Sequence, residues 1–555
     1  MKTRISGSVS VYVLLTMVVL LTACLGVGAL SIGTMTRSTN EKKSIAAFEA
    51  AQAGLEWTIT DGYKNLDNTH GVFAVTTYNM SSTLNAIAPG CVASSRIDPN
   101  ADASYAWITS TATVNGVTRS VRALITSHNV GIWNNAIFAG TGASGKAING
   151  NVDIRGSVHI LGDGEEFSDL NNNGKWDAAE PFTDKNKNGV WDPGEPFTDV
   201  NGDGVWNAAE PFNDSNNNGI YDPPLTQTDL NSSFGGNAYI GNNYSGMPAG
   251  LEAMVPTAPR PGGIESLSTE VRVKHGQIAV NGSASIGSNS VIDGGTSKAT
   301  IDGAYVSDGW TGNQGANSVY SDNGTTNGYD LSALGIQFPL ISGIGADPYT
   351  DKTGNVWTTQ DSYLTTKSLL VPVSTITSTT SSFSYADGNG NSISFTKASA
   401  GHPALLSVTG IVRIAGDLQI GAKDSLTYSG NGTLYATGNL KIDGDLLPAA
   451  GLVFPTTTRM GFIAKQNMYL ASGNGSSQLS MAGAFYAQGT IYSAKQNQIA
   501  GTFVANYYDM GNNVPNIYQV PSLPQNMPPG MPGDKNYYTI RVKTWRQRDA
   551  TSILK

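Results

Sequence analysis

Between Asp169 and Asp222 one short unit is written four times, and its residue types are those that ligate hard cations. The copies begin at Asp169, Asp184, Asp199 and Asp214, and each carries Asp-x-Asn-x-(Asn or Asp)-Gly. Asp169, Asn171, Asn173, Gly174 and Glu180 fill the pattern D-x-[DN]-x-[DN]-G-x5-E of a calcium loop. Asp184, Asn186, Asn188, Gly189 and Glu195 repeat it, as do Asp199, Asn201, Asp203, Gly204 and Glu210. The fourth copy keeps Asp214, Asn216, Asn218 and Gly219 but has Leu225 where the Glu is expected, so it should bind most weakly. Ca2+ takes about six to eight oxygens at about 2.3–2.6 Å, and a short loop supplies them only by wrapping round the ion. Positions 1, 3 and 5 offer side-chain oxygens. Position 7 (Lys175, Val190, Val205, Ile220) offers a backbone carbonyl, and position 9 is Asp177, Asp192, Asn207 or Asp222. Gly at position 6 permits the sharp turn.

Trp176, Trp191, Trp206 and Tyr221 stand at position 8, a place for an inward apolar anchor. The loops resemble those of EF-hands, but the flanking helices are missing. Only Pro181-Phe182-Thr183, Pro196-Phe197-Thr198 and Pro211-Phe212-Asn213 join the copies, too few residues to hold two helices. The expectation is a continuous ladder of calcium loops, nearer in logic to thrombospondin type 3 repeats, with Trp and Phe packed between ions. An Asn/Gly-rich turn array that binds nothing is the plain alternative, and four copies in phase weigh against it.

The chain has 555 residues, 39% of them apolar, and 65 are Gly, a composition that points to a turn-dense β protein. Residues 163–222 hold fourteen Asp/Glu and three Lys, a net −11 against −9 for the whole chain. The acidity therefore belongs to the array, which should repel itself without cations, making metal binding and local folding one event. Cys24 lies in an apolar run and Cys91 has no obvious disulfide partner. Lys and Arg are dispersed rather than clustered with aromatics, which argues against a nucleic-acid partner.

A largely apolar run covers residues 9–35, long enough to span a bilayer and so to make the membrane a partner. Leu21-Thr22-Ala23-Cys24 reads as a lipobox, yet the chain stays apolar through Leu30. Next, residues 44–56 are rich in Ala, Glu, Gln and Leu, good helix formers, so the membrane helix is expected to run on into a water-exposed one. Residues 1–60 resemble the N-terminal region of PilX-type minor pilins and pilus-assembly proteins, most specifically Ala47-Phe48-Glu49-Ala50-Ala51-Gln52-Ala53-Gly54-Leu55-Glu56. Ala136–Gly140 and Ile148–His159 resemble the same relatives more weakly. The resemblance implies other pilins or pilus-assembly proteins as partners. It also implies a place in a bacterial inner membrane with the bulk exported, or at the cell surface or pilus. In the wider type IV pilin superfamily a prepilin peptidase cuts after a Gly preceding the apolar run, which here implies Gly7, leaving Ser8 first. Ser8 replaces the usual Phe, and Tyr12 stands where a Glu is expected. An ordinary signal anchor is the alternative.

Trp107–Val114 and Val117–Ile125 flank Asn115-Gly116, a strong hairpin signal. Short aliphatic strands punctuated by Gly, Asn or Asp recur at Ile148–His159, Ile278–Gly282, Val291–Gly294, Ile301–Gly303, Ile411–Gly421 and Leu440–Asp445, and residues 461–505 continue the pattern. The expected fold is mainly β: an N-terminal membrane-spanning α-helix, then a β-rich body, a parallel β-solenoid or else an antiparallel β-sandwich, with the loop array inserted. The expected segments are 1–60 (helix and stalk), 61–162 (β domain), 163–226 (array), 227–520 (solenoid-like body with long loops) and 521–555; residues 223–265 and 340–400 read as long loops or further insertions. The last segment holds a Pro-rich stretch unable to join a ladder and a final strand from Tyr537 to Trp545.

His70, His128, His159, His275 and His402 are scattered, and no phosphate loop or nucleophile elbow is present, so no catalytic residue is assigned. Asp417, Asp443 and Asp445 read as turn residues. Two functions from different classes follow. One is a membrane-anchored structural or adhesive protein that uses Ca2+; the other is a surface-tethered carbohydrate-active enzyme, since some β-solenoids are lyases or hydrolases. A calcium-binding lipoprotein is a further variant. The surface ligand is not encoded in any motif.

Overall fold

The computed structural model describes residues 8–66, 73–85, 88–100, 105–144, 148–149, 153–224, 234–235, 239–260, 267, 269–274, 278–279, 285–287, 297–298, 304–306, 319–321, 336–472, 478–493, 495–510, 515–534 and 538–548. Gly7, Leu225 and the expected strands at 291–294 and 301–303 lie outside these residues. The chain divides into two units, residues 1–130 with 536–555, and residues 131–535.

In the first unit, the helix-forming N-terminal sequence makes one unbroken helix, Ser8–Leu66. Between Val13 and Met35 its large apolar side chains are exposed, and it is the one described helix long and apolar enough to cross a membrane. Further on, Ala47, Ala50, Ala51, Leu55 and Thr58 fall at helical spacing and are buried. That stripe packs on an antiparallel sheet ordered Thr76–Asn79, Cys91–Pro99, Tyr105–Val114, Val117–Asn129, Tyr538–Arg548. The sheet offers Ala106, Ile108, Ala112, Val121, Ala123 and Ile125 to it at the two-residue period of a half-buried strand. Asn115 and Gly116 both take positive φ (48° and 83°), the turn that suits a two-residue hairpin. The fifth strand comes from the far end of the sequence, so residues 131–535 are an insertion between two strands that are hydrogen-bonded neighbours.

The inserted unit is built on parallel ladders, which excludes the antiparallel sandwich; antiparallel pairs occur in its end hairpins, such as Phe383–Ala386 with Ser392–Thr396. Nor is it a solenoid of uniform rungs. Six strands, Ala404–Ile414, Asn431–Ala436, Arg459–Ala464, Ser480–Ser493, Asp445–Pro448 and Ser425–Ser429, are bonded in a closed parallel ring, with further parallel strands added. The ring closes because two long strands, Ala404–Ile414 and Ser480–Ser493, each serve two ladders. Stacked positions are 22, 28, 23 and 18 residues apart (Val412, Leu434, Phe462, Phe485, Phe503), which is why no fixed period is visible in the sequence.

This column continues out of chain order. Phe503 is in register with Ile137, Ile137 with Val158, and Val158 with Val271. A parallel column runs Leu426, Leu446, Met481, Ile499, Ile517, then back to Ile154 and Ile240. The early strands thus dock on the late ones at a seam, and aliphatic and aromatic side chains fill one core across it. Close rungs need glycine in places: a Cβ on Gly501 (φ 142°) would stand 1.9 Å from the Gly483 carbonyl oxygen. The chain returns to the far end of the stack along its outside. Phe338 stacks on Tyr486 at 5.7 Å, Tyr486 donates to the Pro339 carbonyl (2.6 Å), and Asp361 accepts from Tyr435 and from Lys465 (2.6 Å). Residues 340–400, expected as loops, therefore include ladder strands, Leu369–Val371 and Thr375–Ile376, behind a capped helix, Gln360–Lys367. The Pro-rich stretch stays out of the ladders and buries Leu523 and Met531.

On the outward side of the early strands Phe138, His159 and Arg272 lie in register, fully buried. The His159 ring meets Phe138 edge-on at 5.2 Å, and Arg272 pairs with Glu270. Burial first, then the nearby Arg272 charge, hold His159 well below the usual histidine range, with Glu270 opposing and Lys274 adding to the effect. The unfolded chain takes this proton near pH 6.5 while the folded one does not, so stability is full above about pH 6.5 and falls below it, by up to about 1.4 kcal/mol per pH unit. Urea unfolding at several pH values should show this limb in the wild type and a flatter one in His159→Phe. Parallel curves for the two proteins would rule His159 out as the source.

Candidate metal centre

All four loops close by the same bonds. The first Asp accepts the Gly N–H at position 6: Asp169 from Gly174 (2.7 Å), Asp184 from Gly189 (2.7 Å), Asp199 from Gly204 (2.9 Å) and Asp214 from Gly219 (2.8 Å). Position 3 (Asn171, Asn186, Asn201, Asn216) accepts the N–H of position 5, each at 3.0 Å. Position 5 (Asn173, Asn188, Asp203, Asn218) accepts that of position 7 at 2.7–2.8 Å. The glycines all take φ of 73–79°. Inside each loop the remaining polar atoms converge. Asn171 and Asn173 both donate to one oxygen of Asp177 at 2.6 Å, and Asn186 with Asn188, and Asn216 with Asn218, do the same to Asp192 and Asp222. In the third loop Asn201 and Asn207 converge on Asp203, and Asn207 also donates to the Val205 carbonyl (3.0 Å). The side chains of Val190, Val205 and Ile220 point to solvent, leaving only their carbonyls for the interior.

The glutamates depart from the sequence expectation. Glu180 does not serve the loop it follows: it accepts from Val200 N–H (2.7 Å) and Asn207 N–H (3.1 Å) of the third loop. Glu210 does the same for the first, through Leu170 (2.6 Å) and Asp177 (3.1 Å). Glu195 stays with the second, through Lys185 (2.7 Å) and Asp192 (3.0 Å). The fourth loop, expected to lack a Glu, has Glu165, which accepts from Ser215 N–H (2.6 Å) and Asp222 N–H (3.1 Å). A repeat counted from its Asp leaves Glu165 outside the first copy. Phased from Glu, Glu165-Glu166-Phe167-Ser168-Asp169 opens a first unit of the same form as Glu180-Pro181-Phe182-Thr183-Asp184.

The exchange follows from how the segment folds, which is a nested hairpin and not a linear ladder. Phe182 and Phe197 form an antiparallel bridge, and outside them so do Phe167 and Phe212. The second and third loops are thereby paired, as are the first and fourth. Trp191 stacks on Trp206 (5.1 Å, 13°) and Trp176 on Tyr221 (4.9 Å, 20°), with the bridging Phe rings set edge-on to them. Each Trp indole N–H donates to a Glu backbone carbonyl, Trp176 to Glu210, Trp191 to Glu195 and Trp206 to Glu180. This aromatic packing buries all four Glu side chains. Burial raises the Glu165 carboxyl above its usual range, opposed by the bonds from Asp222 and Ser215.

Among the described residues no three His, Cys, Asp or Glu side chains gather at metal-ligating distance. In each loop the side chains at positions 3, 5 and 9 converge instead, the first Asp closes the turn, and a buried Glu bonds the N–H groups of positions 2 and 9. A donor set of hard oxygens with no sulfur or imidazole suits Ca2+ rather than a softer metal.

No protein-family model matches the chain, and no curated protein matches it. Among solved structures, the crystal structure of the competence-associated pilin ComZ from Thermus thermophilus is similar over 91% of this chain and 97% of that chain, with 18% sequence identity and a TM-score of 0.44.

Proposed function

We propose that the protein is a membrane-anchored, surface-exposed structural component related to type IV pilus assembly, minor-pilin-like, whose inserted array binds Ca2+. The single observation that carries this reading is the N-terminal helix. Its exposed apolar part suits a bilayer, and its stripe from Ala47 to Thr58 seats an antiparallel sheet in the segment whose residues resemble PilX-type minor pilins. Other pilins or pilus-assembly proteins are the partners implied. The array supports the second half of the reading with four loops closed by the same backbone bonds and one buried Glu for each. A carbohydrate-active enzyme is the weaker alternative, since no feature of the described residues singles out a pair of carboxylates on one sugar.

Mass spectrometry of the mature N-terminus from the membrane fraction tests the anchor. A chain starting at Ser8 is the expected result and identifies a processed pilin; a chain starting at Met1 leaves a plain anchor, and a lipidated Cys24 overturns the pilin reading. Steady product release from acidic polysaccharides by the purified protein would replace the structural role with an enzymatic one.

A further inference from the structure

The four loops differ in what they touch. At position 2, Leu170, Lys185 and Val200 are exposed, whereas Ser215 of the fourth loop is buried, 4% exposed. Its carbonyl accepts from Thr490 Oγ1 (2.7 Å) in the strand Ser480–Ser493, and its hydroxyl lies 3.3 Å from Thr141 Oγ1 in the strand Ile137–Ser144. Thr141 in turn bonds Asn506 of the strand Gln498–Asp509 through its N–H (3.0 Å) and hydroxyl (2.9 Å). Those three strands flank the seam where early and late parts of the chain meet. Ser215 also donates its N–H and its hydroxyl (2.9 Å) to Glu165. Glu165 N–H, for its part, bonds the Asp222 carbonyl (2.9 Å), closing the base of the array. A second tie is Asn213 Nδ2 to the Ile344 carbonyl (2.7 Å).

We infer that Glu165, which precedes the four repeats, is the acidic residue that completes the fourth loop, and that cation binding there clamps the seam of the parallel body. The inference rests on the calcium reading and adds a division of labour to it. The fourth loop is a brace whose occupancy is felt across the body, while the second and third loops, at the outer turn of the hairpin, stiffen only the projection. Geometry supplies the coupling: the carboxylate that would face the ion holds Ser215, and Ser215 holds strands from both sides of the seam. A cation drawing on Glu165 and Asp214 fixes the Ser215 backbone between them, and binding free energy reaches the body through bonds already present.

Hydrogen exchange of the full chain, with and without Ca2+, separates the parts of the claim, with bound ions counted by metal analysis. In the wild type, Ca2+ should protect peptides spanning 137–144 and 480–509. Glu165→Gln should raise the dissociation constant of one site by about tenfold or more and abolish that protection. Glu195→Gln should also weaken one site yet leave the seam protected. Thr490→Val, which touches no ligand, should keep four ions bound and lose seam protection. Four ions of unchanged affinity in Glu165→Gln, or equal seam protection in all four proteins, overturns this inference and leaves the calcium reading standing. No bound calcium in the wild type overturns both.

Discussion

Full-length protein stripped by a chelator and titrated with Ca2+ should take up four ions per chain, with ordering of residues 163–222 as they enter. The segment carries −11 net charge and packs two aromatic stacks whose geometry depends on the loops closing. Without cations its carboxylates repel, and the Trp rings lose the registration that the paired loops impose. Uptake should be pairwise, because the first and fourth loops share one aromatic core and the second and third another. Sites of the extracellular kind bind at about 10⁻⁴–10⁻³ M, and sensor-like sites about a hundredfold or more tighter. A site held at a hundred times its dissociation constant contributes about 2.7 kcal/mol to the folded form, so four sites bring the array to the order of 10 kcal/mol. Calorimetry and Trp fluorescence read this directly; heat equal to buffer dilution with unchanged fluorescence would end the calcium reading.

The second large effect concerns the seam. Phe503→Ala should cost about 3–5 kcal/mol, near the top of what a single core substitution does. Phe503 is fully buried, meets Phe485 edge-on at 5.1 Å and Tyr508 at 6.3 Å, and stands in register with Ile137 across the break in chain order. Truncation opens a cavity in the middle of a continuous column, where neither neighbour moves without dragging its own rung. Leu370→Ala is the matched contrast. Leu370 is 52% exposed in the end strand Leu369–Val371, and its loss should stay within about 0.5 kcal/mol. Urea midpoints for the two variants decide the matter: similar small shifts would mean that the two halves of the body are not one cooperative core.

What could be read from the sequence was local. The loop turns were legible because each loop makes its own bonds, and Asp, Asn and Gly at fixed offsets dictate them whatever surrounds them. The helix over residues 44–56 and the Asn115-Gly116 hairpin were legible for the same reason, but the burial of Ala47, Ala50, Ala51 and Leu55 was not, since it depends on the sheet that packs there. Which Glu serves which loop was not, since that depends on the hairpin formed by the Phe bridges, where Glu180 reaches residues 200 and 207. Glu165 carried its signal in the repeated Glu-x-Phe-x-Asp phrase, hidden by starting the count at Asp. The body showed strands but not their order. Connections of varying length erase the period, and the Thr141–Asn506 bond joins residues 365 apart, a pairing set by core complementarity alone.

Late strands complete ladders that early strands begin. Gln498–Asp509 and Asn516–Tyr518 receive the early strands at the seam, and Tyr538–Arg548 completes the sheet beneath the N-terminal helix. A polypeptide interrupted before Tyr538 leaves that sheet one strand short, and one interrupted before Gln498 also leaves Ile137–Ser144 without its partner on one side. Loss of these strands therefore exposes ladder edges of the kind that pair with other chains.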